Sequence, residues 1–171
     1  NCEKIFILDS LTYAGKIENI QIALNNSRFE FIHGDINEIE ILLKGLQAPD
    51  AVVHFAAESH VDRSIVDAND FISTNVNGVF ELLKSVVKNG KPRFIQISTD
   101  EVYGSINSGS WTESDILEPN SPYAASKAAS DLLARSYFVT YELDVRTTRC
   151  CNNYGKYQFP EKVVPVFIKK L

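Results

Sequence analysis

The stretch RFIQISTDEVYG at residues 93–104 decides the fold, because it joins a short apolar run to a polar turn that ends in glycine. Its first six residues are rich in β-branched and aromatic side chains, as strands are. Similar runs occur at residues 4–9, 29–33, 51–55 and 144–149. The sequence therefore predicts five short strands, one of which is followed directly by polar residues.

Helical patterns lie between these runs and set the class of the fold. The chain has a helix-stop signal at Asn89-Gly90 and a helix-start signal at Ser121-Pro122. Strands that alternate with helices indicate right-handed crossovers and a parallel sheet. We therefore predict an α/β protein with a doubly wound, Rossmann-type parallel sheet and helices on both faces. The predicted helices cover about residues 16–25, 36–44, 68–89 and 123–143.

The composition excludes several classes of function. The chain has 44% hydrophobic and 23% charged residues and a net charge of −5, so it lacks the basic excess of a nucleic-acid binder. No apolar run reaches the ~18 residues of a membrane span, and we expect no membrane partner. The three cysteines, Cys2, Cys150 and Cys151, are odd in number and lack metal-ligand spacing. We therefore expect no disulfide framework, no metal site and a reducing cytoplasmic location.

A tyrosine and a lysine open the last predicted helix at a spacing that suits proton transfer. Tyr123 and Lys127 are four residues apart and share one helix face. A lysine ammonium beside a phenol stabilises the phenolate, so we expect the pKa of Tyr123 to be lowered toward neutral pH. Such a pair is common by chance, but here it follows a strand that ends in Ser98-Thr99. We therefore interpret the tyrosine as a candidate base.

Other polar and small residues follow the predicted strands, where ligands of parallel sheets bind. Asp9 ends one strand and suits the ribose hydroxyls of a dinucleotide, although acids are also common in turns. Asp35 follows the next strand, where it suits an adenine amino group or caps a helix near Ile36. Ala56 and Ala57 are small enough for backbone to approach a diphosphate. No G-x-G-x-x-G motif is present. The histidines show no ligand pattern and are interpreted as structural: His33, His54 and His60.

Several segments, taken in order, resemble the dTDP-glucose 4,6-dehydratases of the extended short-chain dehydrogenase/reductase superfamily. The resemblance implies NAD as cofactor, a nucleotide-sugar substrate, a cytoplasmic location and a homodimer. The chain departs from the family pattern in three ways, since the glycine-rich N-terminus and the C-terminal substrate domain are absent and Lys156 replaces a usual proline. The matching segments are residues 8–15, 33–36, 56–64, 98–104, 123–127, 152–155 and 159–162.

The resemblance also predicts how the chain relates to a whole enzyme. It implies that residues 1–171 are an incomplete NAD-binding Rossmann domain that carries the catalytic residues. In the sheet order 3-2-1-4-5-6, the first strand of this chain corresponds to the second strand. We therefore expect that the chain is not an autonomous NAD-binding unit. We also expect that the native polypeptide has a further strand, turn and helix before Asn1 and a substrate-binding segment after Leu171.

The resemblance assigns roles to individual residues. Tyr123, with Lys127, would take the proton of the sugar 4-hydroxyl, and Thr99 would bond the same oxygen. NAD would carry hydride from C4 to C6, while Glu101 removes the C5 proton and Asp100 protonates the departing C6 hydroxyl. Such adjacent acids need their pKa values pushed apart. The residues expected to bind NAD are Asp9, Ser10, Leu11, Thr12, Asp35, Ile36, Phe55, Ala56, Ala57, Thr74, Tyr123, Lys127 and Asn153, and those expected to bind the nucleotide sugar are Ser59, Thr99, Asn152, Glu161 and Lys162.

Three other interpretations stay open at this point. The first is another NAD-dependent nucleotide-sugar enzyme, namely an epimerase, a decarboxylase or a GDP-mannose dehydratase, and Asp100 next to Glu101 argues against it. The second is a non-catalytic NAD-binding sensor or scaffold, which would not need Thr99, Tyr123 and Lys127 together. The third is a ketone reductase that exchanges hydride with an external substrate. Release of the cofactor into solution would identify it.

Overall fold

The computed structural model describes residues 3–42, 44 and 49–171, so Cys2 and Leu43 lie outside the described residues. The chain divides into two compact units: the first unit is residues 1–34 with 152–171, and the second unit is residues 35–151. The described strands are β1 (Ile5–Asp9), β2 (Phe29–His33), β3 (Ala51–His54), β4 (Arg93–Thr99) and β5 (Val145–Cys150). The described α-helices are α1 (Gln21–Leu24), α2 (Ile39–Leu42), α3 (Val61–Val66), α4 (Asn69–Ile72), α5 (Val79–Lys88), α6 (Pro122–Tyr141) and α7 (Val163–Lys170).

The strands pair in parallel within each unit. In the first unit β1 pairs with β2, with Ile5 opposite Phe29, and in the second unit the order is β3-β4-β5. These are the pairs that the order 3-2-1-4-5-6 gives to its second and third strands and to its fourth, fifth and sixth. The predicted α/β class with Rossmann-like parallel strands and flanking helices is confirmed. The described strands form two sheets instead of one continuous sheet.

The predicted helices lie near the expected positions, but parts of them are 3₁₀- or π-helical instead of α-helical. The predicted first and second helices each begin as a 3₁₀ turn, at Ile17–Ile20 and Ile36–Glu38, and become α-helical only in α1 and α2. The predicted third helix consists of α4, a π-helical segment Ser73–Gly78, and α5. The last residue of the irregular segment packs closely against Ile36, because a Cβ on Gly78 would lie 2.5 Å from Cδ1 of Ile36. The sequence analysis missed α3, α7 and the 3₁₀ turn Asp100–Tyr103.

The predicted helix-start and helix-stop signals are confirmed. Ser121 caps α6, because its Oγ accepts a hydrogen bond of 3.1 Å from the Ala124 N–H, and Pro122 is the first helical residue. Gly90 follows α5 with a φ of +91°, which glycine adopts without strain. Helix α6 ends two residues earlier than predicted, because Glu142 adopts a left-handed conformation.

The core of the second unit lies between β4 and the helices α5 and α6. Phe94, Leu83 and Leu143 are completely buried. Gln96 and Ser98 are also buried and alternate with the half-buried Ile95 and Ile97 on β4. Gln96 donates a hydrogen bond of 3.2 Å to Ser130 on α6. Polar side chains therefore continue from the core to the end of β4. None of the described helices is long and apolar enough to cross a membrane.

Candidate active site

The first turns of α6 hold Tyr123 and Lys127 in buried positions, with exposed fractions of 8% and 4%. The Tyr123 N–H donates a hydrogen bond of 3.1 Å to Ser64 Oγ, and Ser64 donates one of 2.6 Å to the Val61 carbonyl. Lys127 Nζ donates a hydrogen bond of 2.8 Å to the Ile97 carbonyl on β4. Hydrogen bonds thereby connect helix α6 to both α3 and β4.

The end of β4 brings three further predicted residues to Tyr123. Thr99 caps the following 3₁₀ turn, because its Oγ1 accepts a hydrogen bond of 3.3 Å from the Glu101 N–H. The Thr99 hydroxyl also donates one of 3.3 Å to Asp100 Oδ1. A hydrogen bond between Tyr123 and Thr99 and the nearby charges of Glu101 and Asp100 all influence the phenol. The structure therefore brings Thr99, Asp100, Glu101 and Tyr123 together.

The expected lowering of the pKa of Tyr123 is not found in the chain alone. Burial, together with the negative charges of Glu101 and Asp100, raises the pKa of Tyr123 to about 12, and a hydrogen bond with Thr99 only partly opposes this. The spacing of Tyr123 and Lys127 along α6 does not reflect the burial of the phenol or the carboxyl groups that follow β4. Lys127 itself bonds the Ile97 carbonyl. The phenol therefore stays protonated unless a ligand adds positive charge.

Lys127 lies in an environment that opposes its own charge. Burial lowers the pKa of Lys127, and the negative charge of Asp131 one turn further along α6 opposes that effect. His54 on β3 is stacked on Phe94, and burial together with the charge of Lys127 lowers the pKa of His54 to about 3. His54 is therefore neutral at physiological pH. A neutral imidazole does not attract the negative charges near Lys127.

Asn75 is a site residue that the sequence analysis missed. Its side chain is 1% exposed and accepts a hydrogen bond of 2.9 Å from the Glu58 N–H. Its Nδ2 donates bonds of 2.9 Å to the Glu58 carbonyl and 2.8 Å to Ser126 Oγ, and Ser126 donates one of 2.7 Å to the Tyr123 carbonyl. Asn75 therefore joins the loop after β3 to the first turn of α6. An asparagine between apolar helix positions and shortly before Gly78 was the signal available in the sequence.

The remaining predicted residues of the second unit lie in turns and at helix starts. Asp35 accepts hydrogen bonds of 2.8 and 2.7 Å from the backbone and side-chain amides of Asn37, so the predicted helix cap is confirmed. Ile36 is buried against Gly78. Its side chain therefore serves packing. In the loop after β3, Phe55 and Ser59 are exposed, and three predicted residues are half-buried: Ala56, Ala57 and Thr74.

In the first unit, Asp9 organises the turn that follows β1. One carboxylate oxygen of Asp9 accepts a hydrogen bond of 2.7 Å from the Leu11 N–H, and Leu11 has a φ of 49°. A Cβ on Gly15 would lie 3.1 Å from the same oxygen, so the turn is tight. Ser10 contacts the His33 ring through its carbonyl at 3.2 Å, and Thr12 is exposed. Asp9 itself is exposed at the carboxyl end of a parallel strand.

Tyr13 joins two groups of predicted residues within the first unit. Its hydroxyl donates a hydrogen bond of 3.1 Å to Glu161, and its ring contacts Phe159 edge to face at 5.3 Å. The turn of residues 10–12, expected to bind NAD, is thus connected to a residue expected to bind the sugar nucleotide. Of the other predicted residues in this unit, Lys162 is half-buried, and Asn152 and Asn153 are exposed.

The cysteines lie next to the cluster at the end of β4. Cys150 is the last residue of β5, and both Cys150 and Cys151 are free thiols. A hydrogen bond to Asp100 and the charge of that carboxylate raise the pKa of the Cys151 thiol. Within the described part of the chain, no group of three His, Cys, Asp or Glu side chains is arranged to hold a metal ion.

Comparisons with known proteins agree on one group of enzymes. A family model described as GDP-mannose 4,6 dehydratase matches residues 1–171. A dTDP-glucose 4,6-dehydratase of Streptomyces griseus is 52% identical over 164 residues, which are 96% of this chain and 50% of that protein. The chain thus spans about half the length of the curated relatives it matches.

Two solved structures show how closely the fold agrees. A crystal structure of DesIV, a dTDP-glucose 4,6-dehydratase from Streptomyces venezuelae with NAD and TYD bound, is 58% identical and superposes with a TM-score of 0.96 over 99% of this chain and 53% of that one. A UDP-glucuronic acid 4-epimerase from Bacillus cereus in complex with NAD is 30% identical, with a TM-score of 0.88 over 98% of this chain and 54% of that one. The fold is thus common to dehydratases and epimerases, whereas the identity is higher to the dehydratase.

Proposed function

The chain belongs to the GDP-mannose 4,6-dehydratase family, and on that premise we propose that its protein is a dTDP-glucose 4,6-dehydratase that uses NAD. The enzyme would convert dTDP-glucose to dTDP-4-keto-6-deoxyglucose with loss of water. Identity of 52% and 58% to dTDP-glucose 4,6-dehydratases supports this choice of nucleotide sugar. Residues 1–171 would supply cofactor-binding and catalytic residues to the whole enzyme.

The observation that carries the proposal is the cluster at the start of α6 and the end of β4. A phenol, a hydroxyl and two carboxyl groups lie together there: Tyr123, Thr99, Asp100 and Glu101. An oxidation of an alcohol needs one base, and the elimination that follows needs a second base and an acid. A 4-epimerase would have no use for the two adjacent carboxyl groups. The set of side chains therefore favours a 4,6-dehydratase.

Each unit, considered by itself, has residues whose chemistry suits NAD. In the first unit, the exposed carboxylate of Asp9 ends a parallel strand and is a suitable acceptor for two ribose hydroxyls. In the second unit, Ala56 and Ala57 follow β3 without bulky side chains, and the buried Lys127 supplies a cation. When bound, NAD would accept hydride from C4, return it to C6, and bring the positive charge of its oxidised ring to the site.

For the oxidation, we assign the proton transfer to Tyr123. Its pKa of about 12 means that the phenol keeps its proton in the free chain, so the base forms only when ligands bind. Thr99, which bonds the phenol, would donate to the same substrate oxygen and orient it. Lys127 would hold its ammonium beside the reacting groups. Tyr123 would therefore act as a base only in the complex with bound ligands.

For the elimination, Glu101 and Asp100 would have opposite duties. Once C4 is a ketone, the C5 proton is acidic, and the Glu101 carboxylate would remove it. Asp100 would give a proton to the C6 hydroxyl as it leaves. The surroundings of the two carboxyl groups differ. Asp100 accepts hydrogen bonds from the Thr99 hydroxyl and the Cys151 thiol, whereas the charge of Glu101 raises the pKa of Tyr123 more than that of Asp100 does. Different surroundings are what an acid and a base in adjacent positions require.

A homodimer and a cytoplasmic location belong to the same proposal. The outer side of α6 exposes four large apolar or aromatic residues, which a second subunit would cover: Leu132, Phe138, Val139 and Tyr141. The free thiols of Cys150 and Cys151 suit a reducing compartment. Light scattering of the full-length protein and of its Leu132→Glu variant tests the dimer, which the glutamate should dissociate.

The function is tested with the full-length protein and dTDP-glucose, without added NAD. We expect the 4-keto-6-deoxy product, and deuterium placed at C4 of the substrate should be recovered at C6. Formation of a C4 epimer, or of a reduced cofactor in solution in proportion to substrate, would refute the proposal. UDP-glucose and GDP-mannose serve as control substrates, and turnover of either at the rate of dTDP-glucose would also contradict it.

A further inference from the structure

A buried ion pair connects three elements around the candidate active site. Arg149 Nε on β5 lies 3.0 Å from Asp131 Oδ2 on α6, and the side chains are 22% and 2% exposed. Nη1 of the same guanidinium donates a hydrogen bond of 2.6 Å to the Tyr103 hydroxyl, in the turn that carries Asp100 and Glu101. One arginine therefore holds β5, α6 and this turn in a fixed relation.

Asp131 also affects a second residue, Lys127, through its charge. The two residues are four positions apart on α6, so their side chains leave the same face of the helix. The Lys127 ammonium bonds the Ile97 carbonyl, and the described residues show no direct ion pair between Lys127 and Asp131. Asp131 therefore acts on Lys127 through its charge, while its carboxylate pairs with Arg149.

The sign of this effect follows from the burial of both groups. Burial lowers the pKa of Lys127, and the negative charge of Asp131 raises it. Burial raises the pKa of Asp131 above its usual range, and the hydrogen bond from Arg149 and the charges of Arg149 and Lys127 only partly oppose that rise. Arg149 is always charged, so it favours the ionised form of Asp131. The Asp131 carboxylate therefore places a negative charge near the buried Lys127, and Arg149 holds that carboxylate in position.

Taken together, these contacts point to a positioning role that the family resemblance did not assign. We propose that Asp131, held in place by Arg149, is a positioning residue whose charge keeps the Lys127 ammonium protonated while the reaction proceeds at Tyr123. The role of Lys127 in that reaction rests on the proposed function, whereas its protonation can be measured without it.

The other charged and titratable groups near Lys127 do not reproduce this effect. His54 faces it from β3 and is neutral above a pH of about 3. Arg149 is positive and would oppose the ammonium if Asp131 lost its charge. The titratable and charged groups on the elements around Lys127 are His54 on β3, Tyr123 and Asp131 on α6, Asp100 and Glu101 after β4, and Arg149 on β5.

The variant Asp131→Asn in the full-length protein tests the proposal. It preserves the shape of the side chain and an acceptor for Arg149 but removes the charge. We expect the alkaline limb of the pH profile of turnover to move to lower pH by about one unit, since a charge at this spacing shifts a pKa by one to three units. The KM of the nucleotide sugar should stay within about twofold. Asp144→Asn is the matched control, because Asp144 also pairs with two arginines, Arg93 and Arg146, at a more exposed place.

A second measurement reads Lys127 without substrate. Acetic anhydride acylates only the neutral amine, so the pH dependence of Lys127 acetylation, followed by mass spectrometry of the full-length protein, reports its pKa. We expect the same downward shift in Asp131→Asn, and wild-type behaviour in Asp144→Asn and in the charge-retaining Asp131→Glu.

The outcomes separate the two proposals. An unchanged acetylation profile in Asp131→Asn would overturn the role of Asp131, even if activity fell. Absence of turnover in the wild-type protein would refute the proposed function and leave the acetylation result valid. If Asp131→Asn does not fold, Asp131→Glu decides, because a shift of a full unit with the charge retained would contradict the proposal.

Discussion

The two units hold their candidate site residues in opposite ways. In the second unit, Thr99, Tyr123 and Lys127 are buried and each has a hydrogen bond within the chain. In the first unit, Asp9, Asn152 and Asn153 are exposed. The residues expected to move protons are therefore fixed before any ligand binds, whereas several of those expected to bind ligands are open to solvent. Preorganisation of reacting groups favours rate, and exposed groups affect mainly affinity.

The strongest test of this difference is Tyr123→Phe in the full-length protein. Only the hydroxyl is removed, and the backbone bond to Ser64 remains. We expect formation of enzyme-bound NADH from dTDP-glucose to fall by about 10²- to 10⁴-fold, the usual contribution of a general base. Binding of the nucleotide sugar should change only a few fold. The control is Tyr141→Phe at the exposed end of the same helix. Reduction of the cofactor at the wild-type rate in Tyr123→Phe would exclude this tyrosine as the base.

The next effect separates the two carboxyl groups within the second unit. Glu101→Gln should stall the reaction after oxidation, because the C5 proton is no longer removed, and enzyme-bound NADH should accumulate. Asp100→Asn should mainly slow the loss of water. We expect losses of about 10²-fold or more in turnover for each. A substrate analogue with a better leaving group at C6 should rescue Asp100→Asn alone. Equal rescue of both variants would show that the assignment of acid and base is wrong.

How far the sequence could predict this site depends on which contacts are local. The start of α6 followed from Ser121 and Pro122, because a helix cap is decided by residues next to it in the chain. The pKa of Tyr123 could not be predicted from the sequence, because it depends on burial and on carboxyl groups that only the fold brings close. The same is true of Arg149, whose partners come from a helix and a turn distant in sequence.

The irregular segment between α4 and α5 shows the same limit. A continuous helix over residues 68–89 was predicted from its pattern, and the π-helical segment Ser73–Gly78 interrupts it. The interruption lies where Gly78 contacts Ile36 and where Asn75 reaches Glu58. Contacts of this kind have no periodic signal in the sequence. The sequence predicted Thr74 of this segment as a site residue, and the structure adds Asn75.

A smaller effect is expected from Asn75→Ala, which tests whether the buried scaffold matters apart from the reacting groups. The variant leaves Ser126 Oγ and the Glu58 backbone without their partner, and one unpaired buried polar group costs about 1–3 kcal/mol of unfolding free energy. Because Asn75 touches no reacting atom, we expect kcat to fall by only about tenfold. The measurements are thermal unfolding and turnover of the full-length protein. Asn77→Ala, at an exposed position of the same segment, is the control. Stability equal to that of wild type would contradict the role of Asn75.

The smallest effect should come from the first unit, where Lys162 is expected to pair with the diphosphate of the nucleotide sugar. Lys162 is half-buried and precedes α7. A partly solvated ion pair contributes little, roughly 0.2–1 kcal/mol, because water and salt screen it. Lys162→Ala should therefore raise the KM of dTDP-glucose by about two- to fivefold and leave kcat and thermal stability unchanged. The rise in KM should shrink at high salt, since the diphosphate is then screened in both proteins.

Lys169→Ala, exposed in α7, is the matched control. A large loss of kcat in Lys162→Ala would show that the first unit also takes part in positioning the reacting groups, and the contrast between the two units would then fail.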